Sequence, residues 1–498
     1  GETVTQTNHD MFCPGINNLP DGRILSAGGA SSERTSIYDP ATGVWSRAAD
    51  MNVNRGYQGN VTLADGSVFT VGGSWSGSNT VATNGGKNGE LYTPETGWIN
   101  LPNIEGEDIF TANDIAKELQ GLYRVDNHVW LWAAPNGKIF HAGPGEMMHW
   151  IDPDIANGGS ITDAGLRGPD TYSMKGTTVM FDVGKVLKVG GAESYGSSDP
   201  AFVPAKDNSF VIDFNNENNV TVTATANNLS FARTMHNSTV LPDGKVLVTG
   251  GLDRAEVFSD TGARLTAELY DPATNSWANV AGMATPRTYH SVAILMTDGR
   301  VFVGGGGLCD NSNPDECVNH MDAEIYSPPY LFDAGGGLAT RPTISAPDVQ
   351  ENYNSTIAVT GSSGIQAFSL VRFSAATHST NNEQRRIPLT FSGGGGNYTV
   401  DIPSRNLLPP GYYMLFAMDA NGVPSVAETI RIGTAVPLSI NPNLILDLGF
   451  DDGSGSVAND GSIYNNDATI YDVDNDATTK VPSTDNWGTG IFGGALTM

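Results

Sequence analysis

At 498 residues the chain is too long for one ordinary domain, and two to four are expected. A hydrophobic fraction of 39% is enough for real cores and excludes wholesale disorder. A net charge of −28 repels nucleic acid and anionic membranes, and no run of about 18 apolar residues is present to span a bilayer. The acidic surface is read as serving solubility, ahead of any specific cation-binding role. With 60 glycines, 27 prolines and only 16% charged residues, the composition describes many short strands joined by tight turns.

From the N-terminus one theme recurs: a D-G or N-G type turn, an apolar strand, then Gly-Gly or Gly-Pro. It stands at LPDGRILSAGG (Gly28, Gly29), LADGSVFTVGG (Gly72, Gly73), APNGKIFHAGP (Gly143), DVGKVLKVGG (Gly190, Gly191), LPDGKVLVTGG (Gly250, Gly251) and MTDGRVFVGGG (Gly304, Gly305). A second element follows several copies: SIYDPATGVW, ELYTPETGW, ELYDPATNSW, EIYSPPY. Aspartate-glycine between strand-like runs marks a hairpin, and a spacing near the kelch period of about 50 residues marks propeller blades. Six copies alone could close a propeller, but the first copy starts close to Gly1, so seven blades with an incomplete first one are the preferred expectation over residues 1–338. The helix-like FTANDIAKELQGLY is read as an insertion between blades. After ATRPTISAP the repeats give way to alternating strands (STIAVTG, FSLVRFS, YTVDIPS, YYMLFAMDA), expected to form an immunoglobulin-like β-sandwich over 339–434. Residues 435–498 read as a linker and the start of a laminin-G-like jelly roll. The fold class is therefore all-β: kelch-type β-propeller, sandwich, partial jelly roll. Asp472, Asp474 and Asp476 alternate in a way that suits calcium, but without the EF-loop glycine and closing glutamate a solvated turn is the preferred reading.

Of the three cysteines, Cys309 and Cys317 share a turn-rich loop, GLCDNSNPDEC, while Cys13 stands far away. A Cys309–Cys317 disulfide plus one odd thiol fits an oxidising, extracellular compartment; three free thiols in a cytosolic protein are the alternative.

No HExxH, P-loop or dinucleotide fingerprint is present. What remains is a scattered set of groups at strand ends and turns: HDMFCPGI with Cys13, RGYQ with Tyr57, GGSWSG with Trp75, RTYHSVA with Tyr289 and His290, and ATHSTNNEQRRIPL with His378. Imidazoles and phenolate oxygens together suit a tetragonal Cu(II) ion. Taken one at a time, each is more often a structural group.

Taken together, and in this order, the five motifs resemble the galactose oxidase family of copper-radical oxidases, over about the first 435 residues. The resemblance implies one copper ion held by Tyr57, Tyr289, His290 and His378, and a protein-derived radical cofactor in which a thioether joins Cys13 to Tyr57. It implies that Trp75 stacks on and shields the linked side chain. Tyr289 would act as the base for the alcohol proton, and Tyr57 would abstract hydrogen from the carbinol carbon. GLYRVDNH resembles a family segment whose arginine contacts the substrate, which makes Arg124 a candidate; a blade salt bridge is the alternative. Tyr195 and Phe258 are further substrate-binding candidates. At Gly196 the family pattern has glutamine, a departure that argues against galactose itself.

The expected function is oxidation of a primary alcohol, a carbohydrate or a simple alcohol, to an aldehyde with reduction of O2 to H2O2, by a secreted monomer. Glyoxal-oxidase-like aldehyde oxidation shares the ligand set. A non-catalytic glycan-binding kelch propeller, or an adhesin acting through the jelly roll, are readings of a different class.

Overall fold

The computed structural model describes residues 7–73, 87–109, 129–193, 203–307 and 319–436, together with the backbone of six short strands between 457 and 496. Two compact units divide the chain, Gly1–Val436 and Pro437–Met498.

The first unit opens with antiparallel sheets, each made of consecutive strands. They are β1–β4 (Gly15–Asn18, Ile24–Ala27, Thr35–Asp39, Val44–Arg47) and β5–β8 (Gly59–Thr62, Val68–Val71, Gly89–Thr93, Gly97–Leu101). Next come β9–β12 (Trp130–Ala133, Ile139–Gly143, Met147–Asp152, Ser160–Leu166) and β13–β16 (Thr177–Asp182, Lys185–Val189, Ser209–Asp213, Thr221–Ala224). The last are β17–β20 (Thr234–Val240, Val246–Leu252, Ala267–Asp271, Ser276–Val280) and β21–β23 (Ser291–Leu295, Val301–Gly305, Ala323–Tyr326). First strands pack on first strands of the neighbouring sheet (β1 on β5, β5 on β9, β13 on β17, β17 on β21), which is the arrangement of propeller blades. The described residues hold six such sheets. The sheet formed by β1–β4 is a full four-stranded one, contrary to the incomplete first blade expected, and the three-stranded sheet is the last. The expected insertion helix lies outside the described residues.

The Gly-Gly repeat has a physical cause. Gly28 and Gly29 have φ of 70° and 103°, which side-chain-bearing residues adopt at a cost. A Cβ on Gly28 would meet Arg55 O at 2.2 Å, and Gly29 N donates to the same carbonyl at 3.0 Å. The same bond joins Gly191 to Arg233 (2.9 Å) and Gly251 to Arg287 (2.8 Å). These three Gly-Gly pairs thus grip the arginine turn that opens the next sheet. Those arginines are fully buried and pair with a glutamate on the third strand of their own sheet: Arg55 with Glu90, Arg233 with Glu268, Arg287 with Glu324. Arg55 Nη2 lies 2.7 Å from Glu90 Oε2, with both side chains shielded from water. Replacing Glu90 by alanine strands a buried cation, so a loss of about 3–5 kcal/mol is expected in chemical denaturation. A loss below about 1 kcal/mol would mean that the pair is not what holds the turn.

The second part of this unit is a sandwich of two sheets. One has the order β24-β26-β30-β29 and the other β25-β32-β31-β27-β28. Their strands are β24 Ile344–Ser345, β25 Val349–Gln350, β26 Ser355–Gly361, β27 Ala367–Arg372, β28 Arg386–Leu389, β29 Phe391–Gly394, β30 Asn397–Ile402, β31 Gly411–Met418 and β32 Glu428–Ile432. Alternation in β30, exposed at Asn397, Thr399 and Asp401 and buried at Tyr398, Val400 and Ile402, shows why it reads as half-buried strand. Val371, Met414, Phe416 and Met418 of the sandwich join one apolar core with blade residues Val240, Val246 and Val301. Propeller and sandwich therefore share a hydrophobic interior. In the second unit the six short strands form three separate two-stranded pairs. No larger sheet of a jelly roll is present among the described residues there.

Candidate metal centre

The site begins with the arginine turns. Residues at matching places, just before or at the start of a first strand, carry left-handed backbone: Cys13 (φ 63°), Tyr57 (61°), Lys175 (54°), Met235 (59°) and His290 (69°). Such conformations cost side-chain-bearing residues about 1–3 kcal/mol each and persist where the surroundings over-determine them. Here the Gly-Gly contacts supply that constraint for Tyr57, Met235 and His290. Cys13, Tyr57, Met235 and Tyr289 then form one buried cluster with Tyr172, Met174 and Leu252.

His378 comes from the sandwich. It sits in the segment between β27 and β28, where residues 380–385 are buried polar side chains. Glu383 Oε1 accepts from Asn17 Nδ2 and from Thr62 N, both at 2.8 Å. Asn382 Nδ2 donates to Asn60 O (3.0 Å) and Val129 O (3.1 Å), and Gln384 Oε1 accepts from Val240 N at 2.9 Å. Arg372 Nε closes the network on Glu383 Oε2 at 2.8 Å. The segment is thus fastened to the first strands of four blades, β1, β5, β9 and β17, and a ring from the sandwich reaches residues of the propeller.

Cys13 Sγ and one ring nitrogen each of His290 and His378 lie within 4.8 Å of one another. The His290 and His378 ring centroids are 4.7 Å apart, Tyr289 and His290 are 3.8 Å apart, and Tyr57 and His378 are 5.2 Å apart. His290 Nδ1 is held by Gly307 O at 2.9 Å, which leaves its Nε2 as the free lone pair. That Nε2 is buried and meets no hydrogen-bond partner. Cys13 Sγ lies 3.3 Å from His378 Nε2 and is hydrogen-bonded to Tyr57.

Electrostatics keep both rings neutral. Burial lowers His290 to about 4, against the Gly307 carbonyl, which raises it. Burial, Lys175 and His290 hold His378 well below the usual range. Neutral imidazole is the ligating form. Burial pushes the Cys13 thiol up to about 11, so it is a thiol and a poor anionic ligand. An orphaned, buried imidazole nitrogen among a second imidazole and two phenols is a donor set that fits a copper ion.

Three neighbours went unremarked in the motif reading. Lys175 Nζ stands 5.2 Å from the Tyr289 ring centroid and 5.9 Å from that of Tyr57. Its signal was its place two residues before β13, matching Cys13 before β1. Phe12, 39% exposed, sits edge-on to His290 at 6.3 Å. Asp260, two residues after Phe258, pairs with His320 at 2.8 Å. Phe258 itself, 37% exposed, lies 5.3 Å from Tyr289 and 6.1 Å from His290 between ring centroids. Trp75, Arg124, Tyr195, Gly196, Cys309 and Cys317 lie outside the described residues. No helix among the described residues is long and apolar enough to cross a membrane.

Residues 341–432 match the family model of the galactose oxidase-like early set domain, and residues 172–330 match that of the glyoxal oxidase N-terminus. A galactose oxidase from Gibberella zeae is 42% identical over 441 residues, which cover 86% of this chain and 62% of that protein. The chain thus spans 62% of the length of that relative. An aldehyde oxidase from Vitis pseudoreticulata is 26% identical over 85% of this chain and 82% of its own. A solved structure described as a fungal alcohol oxidase with catalytic diversity among the AA5 family, in complex with copper, is 39% identical. It superposes with a TM-score of 0.77 over 85% of this chain and 86% of that one.

Proposed function

Since the chain belongs to the galactose oxidase family, we propose that it is a copper-dependent oxidase, turning primary alcohols into aldehydes and O2 into hydrogen peroxide. The observation that carries this reading is the buried, unpartnered Nε2 of His290 beside His378, Tyr57 and Tyr289. His290, His378, Tyr57 and Tyr289 would hold the ion. Copper, when bound, supplies a one-electron acceptor and a Lewis acid for the alcohol oxygen.

Alcohol oxidation removes two electrons, so the chain provides the second acceptor. That acceptor is the Tyr57 ring, joined through a thioether to Cys13 Sγ and shielded by Trp75. Tyr289 Oη takes the hydroxyl proton as general base. Tyr57, left one-electron oxidised by the O2 half-reaction, takes the hydrogen atom from the carbinol carbon at Oη; the second electron would pass to the copper, and the aldehyde leaves. O2 then accepts two electrons and two protons as H2O2. The apolar rings of Phe12 and Phe258 flank His290 on the side where substrate would approach.

Arg124, Tyr195 and Phe258 contact substrate, and Gly196 in place of glutamine moves the preference away from galactose. The blades over residues 1–338 are of kelch type, the sandwich over 339–434 is immunoglobulin-like, and 435–498 is a separate region. The protein is a secreted monomer with a Cys309–Cys317 disulfide. A second reading, aldehyde oxidation, is favoured by the glyoxal oxidase match at 172–330. A coupled peroxide assay decides between them. We expect peroxide from benzyl alcohol, less from galactose, and none from glyoxal. Peroxide from glyoxal alone would replace the alcohol reading with the aldehyde one.

A further inference from the structure

We propose that the Asp260–His320 pair is a positioning device that holds the Phe258 wall against the site, and thereby sets how well a bulky apolar alcohol is retained. The proposal rests on the oxidase reading for its consequence, but not for its geometry.

Phe258 stands in the turn between β18 and β19. The base of that turn is closed by the Leu252–Ala263 bridge and by Asp253 N donating to Gly262 O at 3.1 Å. At its tip Phe258 has a left-handed φ of 62° and a ring 37% exposed. A strained, half-open aromatic residue keeps its place only if neighbours fix the backbone beside it. Asp260, two residues on, supplies that fixing in two directions. Its Oδ2 lies 2.8 Å from His320 Nε2, and its Oδ1 accepts from Thr288 Oγ1 at 3.3 Å. Thr288 is buried and precedes Tyr289 and His290 directly. His320 is anchored in turn: its N–H donates to Gly306 O at 3.1 Å. The next residue, Gly307, donates from N to Tyr289 O at 2.9 Å and accepts from His290 Nδ1 at 2.9 Å. Gly306 packs between the two partners, since a Cβ there would lie 3.3 Å from Thr288 N and 3.6 Å from the His320 ring. One carboxylate therefore ties the Phe258 turn, the strand start bearing Tyr289 and His290, and the segment leading into β23. Cutting it frees the wall without touching Tyr57, His290 or His378.

The test uses copper-loaded protein with Asp260→Ala, Asp260→Asn and His320→Gln. Hydrogen exchange by mass spectrometry reads the tie itself. Amides of residues 257–263 in Asp260→Ala should exchange about tenfold faster, while those of β17 and β18 do not change. Steady-state kinetics read the consequence: KM for benzyl alcohol should rise about fivefold with kcat and copper content retained, and Asp260→Asn should recover most of it. Unchanged exchange overturns the tie. Faster exchange with unchanged KM overturns its part in substrate retention, and a joint loss of copper and kcat makes the pair merely structural. An unsubstituted protein that oxidises no alcohol removes the oxidase reading, and the exchange result still decides the tie. Should Asp260→Ala not fold, His320→Gln cuts the same pair from its other side.

Discussion

Replacing His378 by alanine leaves a folded protein that no longer holds copper. The fold survives because the bonds that fasten its segment to the blades do not pass through the imidazole, whose bond within that segment is to Thr377 Oγ1 at 2.6 Å. Glu383, Asn382 and Gln384 fasten that segment to four blades by bonds that do not involve the imidazole. What is lost is one of two neutral nitrogen donors facing each other across 4.7 Å between ring centroids. The remaining imidazole and two phenols, whose protons must leave before they ligate, cannot make up for it at neutral pH. Affinity should fall by well over the roughly 100-fold that follows loss of an outer partner of a ligand. Copper measured after dialysis against a weak chelator checks this. Stoichiometric metal in the variant would remove His378 from the ligand set and with it the need for the sandwich to complete the site.

The second large effect is expected at Cys13. With alanine there, copper should bind and turnover should fall by about 10,000-fold or more, the scale seen when one member of a cooperating catalytic unit is removed. Tyr57 keeps its place, because its N–H donates to the Cys13 carbonyl at 3.0 Å and that bond is indifferent to the side chain. The truncation itself costs only about 1 kcal/mol of packing. What disappears is the sulfur beside the Tyr57 hydroxyl. A thioether forms by loss of the S–H hydrogen and a ring C–H hydrogen, with the electron pair passing to O2. The matured parent should therefore be lighter than its sequence mass by H2, and the variant should match its own. Undiminished turnover in Cys13→Ala would refute the linked cofactor.

The propeller was legible because Gly-Gly is required by the close approach of an arginine carbonyl, and a required glycine leaves a mark in the sequence. The Arg55–Glu90 and Arg233–Glu268 pairs left none that apolar periodicity could reveal, since the partners stand 35 residues apart. The completeness of the first sheet was also hidden. Its strands of four or five residues are too short to show alternation. At the site, the motifs point to Cys13, Tyr57, Tyr289, His290 and His378, which the structure brings together. Lys175 was missed because a lysine attracts no attention in a search for metal donors, although its place before β13 matches that of Cys13 before β1. Asp260 and His320 are 60 residues apart and meet only through the turn geometry of two blades.

The oxidase chemistry requires this site to pair a copper ion with an oxidised Tyr57. The direct measurement is the visible and near-infrared spectrum of protein loaded with Cu(II) in air and then mildly oxidised. Broad radical bands that bleach on adding benzyl alcohol, with peroxide appearing in step, are the predicted result. Copper bound in full with no such bands and no peroxide would contradict the oxidase reading and leave a propeller that binds metal without performing the chemistry.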